Sequence, residues 1–121
     1  MTVIEGVRRI EAEADGEGLV VGIVASRFNQ PVVARLLEGC VEELLGLGVR
    51  AADITVVSVP GALEISWALR KLAATNQFDA LIALGAVIRG ETYHFEIVAG
   101  QSAAGNQSVQ QETGIPTANG V

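Results

Sequence analysis

A single cysteine, Cys40, leaves no partner for a disulfide within the chain. A single histidine, His94, leaves no cluster of Cys and His at the spacing a metal centre needs. Aromatic residues make up only 4% of the chain, so its core has to be aliphatic. Basic residues are outnumbered, and the formal net charge of −6 argues against nucleic acid or an anionic membrane as a partner. No apolar run approaches a bilayer span, and Met1 is not followed by the basic and apolar stretches of a secretory signal. There is no G-x-G-x-x-G or Walker-type loop, and no nucleophile stands beside an obvious base. A reducing, cytoplasmic setting is the expectation that follows.

What is present is aliphatic. Half of the 121 residues are apolar, enough for one domain with a real core. That composition favours buried parallel strands covered by helices. The mean hydropathy of +0.41 is high for a small monomer and points to apolar surface covered by other subunits. Cys40 falls on the apolar stripe of a helix, where a thiol packs as a small hydrophobe.

The chain opens with a short β-type run, Thr2-Val3-Ile4, and then an acidic segment, Glu11 to Gly18, that reads as a solvated linker. Leu19 to Val24 reads as a strand apolar on both faces. Asn29 or Gln30 can cap the helix that follows, with Pro31 in its first turn. Val33, Leu36, Leu37, Cys40, Val41, Leu44 and Leu45 recur at helical spacing until Gly46 and Gly48 end the run. Ile54 to Val59 is a β-branched strand broken by Pro60-Gly61, and a helix is predicted from about Ala62 to Ala74. Trp67 reads as core or interface packing. Ala80 to Ile88 reads as a buried strand, interrupted at Arg89-Gly90. Thr92 is the expected cap of the next helix, which places His94 one turn in, Phe95, Val98 and Ala99 on its first apolar stripe, and its end near Glu112. Ile115 to Val121 looks like the start of another strand.

Strand and helix alternate throughout, which predicts an α/β fold: a parallel sheet with helices on both faces. Ser26 to Asn29, Pro60 to Glu64 and Arg89 to His94 then all follow the carboxyl ends of their strands. Those ends share one edge, and open α/β sheets bind ligands along it. A strand, a glycine turn and a helix N-terminus also make an anion seat, because the first helical N–H groups lack partners. On spacing alone, His94 serves equally well as a satisfied surface histidine or as a proton carrier near neutral pH. Its place beside the seat favours the second reading. Arg89 is either solvated or an anion partner. Glu91 and Thr92 can offer backbone N–H groups to a phosphate or merely cap the helix. Phe28 can stack on a planar ring or staple the next helix. Glu64 can accept from ligand hydroxyls or favour a helix dipole.

Four segments go further: Gly22-Ile23-Val24-Ala25-Ser26-Arg27-Phe28-Asn29, Val59-Pro60-Gly61-Ala62-Leu63-Glu64, Gly85 to Phe95, and Ile115-Pro116-Thr117-Ala118-Asn119-Gly120-Val121. In order and spacing they resemble the lumazine synthase family across nearly the whole chain. The resemblance implies one domain over residues 1–121 with a three-layer, flavodoxin-like sheet. It implies an enzyme of riboflavin biosynthesis that joins 5-amino-6-(D-ribitylamino)uracil to 3,4-dihydroxy-2-butanone 4-phosphate, releasing phosphate and water, with no metal or organic cofactor. It implies that Phe28 stacks on the pyrimidine, that Ala62, Leu63 and Glu64 hold the ribityl chain, and that Ala86, Val87 and Ile88 bind the uracil edge through their backbone. Glu91 and Thr92 would seat the phosphate, His94 would transfer the proton, and Asn119 would reach a neighbouring subunit's site. Leu63 and Asn119 stand where many relatives carry an aromatic. The family assembles as pentamers or as sixty-subunit shells, so a homo-oligomer is expected. The family pattern continues past Gly120-Val121 into further strand and helices that bring a basic residue to the phosphate; this sequence lacks that part. Two other readings suit such a chain: a shell-forming assembly protein without chemistry, told apart by assembly with zero turnover, and a ribityl- or flavin-binding module, told apart by tight riboflavin binding without conversion.

Overall fold

A computed structural model describes residues 4–121, so the run Thr2-Val3-Ile4 lies almost wholly outside the described residues. Four strands, β1 (Val21–Ser26), β2 (Ile54–Val59), β3 (Ala80–Leu84) and β4 (Thr117–Gly120), form one parallel sheet in the order β2-β1-β3-β4. Three helices connect them: α1 (Gln30–Gly46), α2 (Ile65–Ala74) and α3 (His94–Thr113). The sheet separates two cores. On one face Val24, Leu81 and Ala83 meet Ile65, Ala68 and Leu69 of α2 and Val98 and Val109 of α3. On the other, Val21, Ile23, Ala25 and Leu84 meet Val33 of α1, with Leu37, Cys40, Val41 and Leu44 beside them. Helices on both faces explain why β1 is buried along its whole length: a central parallel strand has no wet side.

Several elements start or stop where pairing, and not composition, decides. The first strand runs Val21–Ser26 instead of Leu19 to Val24, because its register is set by β2, from Val21 opposite Ile54 to Ser26 opposite Val59. The third strand ends at Leu84, four residues before Ile88. Leu84 is the last residue opposite both Ala25 of β1 and Gly120 of β4, and past it only the Gly85 N–H finds a strand partner, the Gly120 carbonyl at 3.3 Å. Gly85 is required there by close approach: a Cβ would lie 2.9 Å from Ser26 Oγ and 3.2 Å from Ile65 Cδ1. The segment Ala62–Glu64 is a single 3-10 turn before α2, so Glu64 stands at the helix entrance and not in its first turn.

Trp67 loses the core one of its two readings, and side chains depart from expectation in two further places. Trp67 is 63% exposed and lies outside both cores, with Lys71 Nζ 5.6 Å from the centre of its ring. Leu36 and Leu45, on the predicted apolar stripe of α1, are also exposed. The buried side of α3 is partly polar, with Ser102 and Asn106 enclosed between Val98 and Val109. The acidic segment before β1 is not wholly solvated either. Gly16 is buried and donates to the Leu47 carbonyl at 2.7 Å, which ties the segment to the end of α1.

Candidate active site

The loops after β1, β2 and β3 meet at the carboxyl edge of the sheet and enclose a cleft of about 300 Å³. That size is at the lower end of small-molecule sites, which run from about 300 to 1,000 Å³. The cleft sits where the chain's path across the sheet reverses, β2 lying on one side of β1 and β3 on the other, which is the usual ligand position in open α/β sheets.

Its walls hold eight of the residues singled out above: Phe28, Ala62, Leu63, Glu64, Ala86, Val87, Ile88 and His94. Phe28 is aimed by its flanking residues. Arg27 extends the pairing of β1 with β2, its N–H donating to the Val59 carbonyl at 2.7 Å and its Nη1 to Ser58 Oγ at 3.2 Å. Asn29 then turns the chain in the left-handed region at φ 54°, a conformation Asn tolerates better than most residues. Phe28 stays 53% exposed between them. A ring that stapled the helix would be covered, so the exposure favours the stacking role. Glu64 brings its Oε2 close over Gly61, where a Cβ would lie 3.4 Å from it, on the same wall as Ala62 and Leu63. Pro60, Gly61 and Val98 complete the lining.

His94 is the first residue of α3, which starts one residue later than a Thr92 cap would give. Thr92 is not its cap: Tyr93 holds that position, with no side-chain cap bond. The Thr92 hydroxyl oxygen instead accepts from the His94 N–H at 3.4 Å, a local turn contact two residues on. Glu91 and Thr92 are exposed in the loop before α3 and do not line the cleft. Among the described residues, no backbone N–H from Ala86 to Tyr93 donates to a backbone or side-chain acceptor. The segment therefore presents open donors of the kind an anion or a uracil edge requires.

Asn119 lies elsewhere. It lines a second cavity of about 140 Å³ with Val87, Phe95, Ala99, Ala103 and Val121, and its Oδ1 accepts from Asn106 Nδ2 at 3.3 Å and from the Val121 N–H at 3.2 Å. Within one chain it does not join Phe28 and His94.

Sequence reasoning missed Glu96. In the first turn of α3 it accepts from Arg89 Nη1 at 2.7 Å, while the Arg89 guanidinium sits 4.5 Å from the centre of the Phe95 ring. A separation of seven residues across a turn leaves no periodic trace. Among the described residues, no three His, Cys, Asp or Glu side chains converge as a metal set would, and no helix is long and apolar enough to cross a membrane.

Residues 18–121 match the family described as 6,7-dimethyl-8-ribityllumazine synthase. Among curated relatives of that name, the protein of Nitrosospira multiformis is 59% identical over 121 residues, all of this chain and 76% of the relative. That of Nitrosomonas europaea is 56% identical over the same length, covering 74% of the relative. That of Cupriavidus pinatubonensis is 60% identical over 107 residues, 88% of this chain and 64% of the relative.

Proposed function

Since the chain belongs to the 6,7-dimethyl-8-ribityllumazine synthase family, we propose that the cleft between the loops after β1, β2 and β3 is where it performs that family's reaction. The chain is an enzyme of riboflavin biosynthesis. It condenses 5-amino-6-(D-ribitylamino)uracil with 3,4-dihydroxy-2-butanone 4-phosphate to 6,7-dimethyl-8-ribityllumazine, releasing phosphate and water. The observation that carries the assignment of the site is convergence: Phe28, Ala62 to Glu64, Ala86 to Ile88 and His94 are remote in sequence and line one cavity.

The roles follow from what each group can do. Phe28 stacks on the pyrimidine. Glu64 accepts from the ribityl hydroxyls, with Ala62 and Leu63 shaping the wall around that chain. The backbone of Ala86 to Ile88 donates to and accepts from the uracil edge. The open amides of Glu91 and Thr92 hold the phosphate at the start of α3, where the helix dipole favours an anion. The 5-amino group attacks the ketone and forms an imine with loss of one water. Phosphate departs towards the seat, and the ribitylamino nitrogen then closes the ring on the remaining carbonyl with loss of a second water, which completes the lumazine. His94 carries the protons that these steps take up and release. Most of the rate comes from holding two substrates in reacting geometry, with acid–base help from the imidazole.

The assembly is a homo-oligomer in which the exposed Leu63, Trp67, Tyr93 and Ile97 are covered by other copies and Asn119 faces a neighbour's cleft. Pentamer and sixty-subunit shell both suit these surfaces, and native mass measurement separates them. The lone half-buried cysteine suits a cytoplasmic setting. The direct test supplies both substrates to the purified protein and follows lumazine and phosphate together. Formation of both in equal amounts is expected. A rate no faster than the uncatalysed reaction would overturn the assignment.

A further inference from the structure

Accepting the phosphate seat proposed above, we infer that Arg89 is a positioning residue, strapping the loop that carries the seat to the first turn of α3 through Glu96, and so setting affinity for the phosphate-bearing substrate. The loop needs such a strap. From Ala86 to Tyr93 no backbone N–H among the described residues is bonded within the chain, so the backbone does not hold its own shape there. Arg89 lies at the middle of this stretch and is anchored at two points: its Nη1 is 2.7 Å from Glu96 Oε1, and its guanidinium stands 4.5 Å from the centre of the Phe95 ring. The Glu96 side chain is 32% exposed, and its second oxygen, Oε2, is enclosed without a partner. A carboxylate in that position depends on its one cation. Exposed ion pairs generally contribute little. This one closes a loop of otherwise unbonded backbone, and its effect falls on the placement of the Glu91 and Thr92 amides.

The strap predicts selectivity between the two substrates. In the assembled enzyme, Arg89→Gln and Glu96→Ala should each raise the KM for the butanone phosphate about fivefold and weaken inhibition by inorganic phosphate by the same factor. The KM for the ribitylaminouracil should move less than twofold. The double variant should be no worse than either single one, because both remove one shared interaction. Arg89→Lys should recover part of the loss. A loss in Arg89→Gln without one in Glu96→Ala would overturn the proposal, since Arg89 would then be touching the phosphate itself. Equal shifts in both KM values, or a fall in kcat at unchanged KM, would overturn it too. Hydrogen exchange reads the strap without turnover: Arg89→Gln should speed exchange at residues 90–94 and leave Val109 protected. If the unaltered enzyme makes no lumazine, the functional assignment fails and exchange still decides the strap. Unchanged exchange at residues 90–94 overturns the strap even where turnover is intact.

Discussion

The two edges of the sheet are built differently. At the amino edge, helix ends are closed. The N–H groups of Leu47, Gly48 and Val49 return to carbonyls of α1, the Thr75 hydroxyl donates to the Leu72 carbonyl, and the Thr113 hydroxyl donates to the Val109 carbonyl at 2.6 Å. Gly114, at φ 73°, turns the chain and donates to the Gln110 carbonyl. Asp79 ties the start of β3 to Val20 on both sides, accepting from its N–H at 2.8 Å and donating to its carbonyl at 2.8 Å. At the carboxyl edge, none of the three α-helices has a side-chain cap bond. Donors are spent on stability at one edge and left open at the other, and the cleft is at the open edge. Unpaired backbone groups near water cost little, and they become binding groups when a ligand displaces that water.

This contrast can be broken in a definite order. His94→Ala should lower kcat by about 100-fold, the usual size of an acid–base contribution, without shifting the unfolding midpoint, because the ring is exposed. Steady-state kinetics beside chemical unfolding will show whether the two quantities separate. Next, Glu64→Gln should raise the KM for the ribityl substrate about tenfold, the loss expected when a charged acceptor becomes neutral, with the KM for the butanone phosphate nearly unmoved. The amino edge should answer in the opposite sense. Gly114→Ala forces an L side chain into the left-handed region and should cost about 1 kcal/mol of stability, read as an earlier urea midpoint, with kinetics preserved. The smallest effect concerns pH. The hydrogen bond from Arg70 holds the Glu112 carboxyl below its ordinary value. A lowered folded-state value stabilises above the ordinary glutamate pKa and is lost as pH falls through the folded one. Glu112→Gln should therefore flatten the acid limb of the stability curve slightly, since both partners are exposed and screened. An effect on turnover from either amino-edge variant would erase the distinction between the edges.

Much of this was legible from residues alone, for reasons that differ by element. Ile54 to Val59 is bounded by β-branched composition and by Pro60, so its limits coincide with β2. The alternation of strand and helix specified a parallel sheet, and a parallel sheet forces three distant loops onto one edge. Bounds set by a distant partner were not legible. Leu84 ends β3 because its ladders with β1 and β4 both end there, at Ala25 and Gly120, and no local feature of Gly85 to Ile88 marks that. Thr92 has the chemistry of a cap, yet its hydroxyl is drawn into a turn with the very residue it was expected to precede. Ser102 and Asn106 lie inside against the rule of polarity; Asn106 reaches Asn119 on β4, a pairing visible only once β4 is docked. Trp67 read as core or interface packing, and its exposure removes the core reading and leaves the interface one open.

Val87 lines both the cleft and the chamber that contains Asn119, and among the described residues no other is common to the two. A branched, rotationally stiff side chain in that position is a partition between adjoining rooms. The cleft and the Asn119 chamber therefore stand back to back, with that one wall between them.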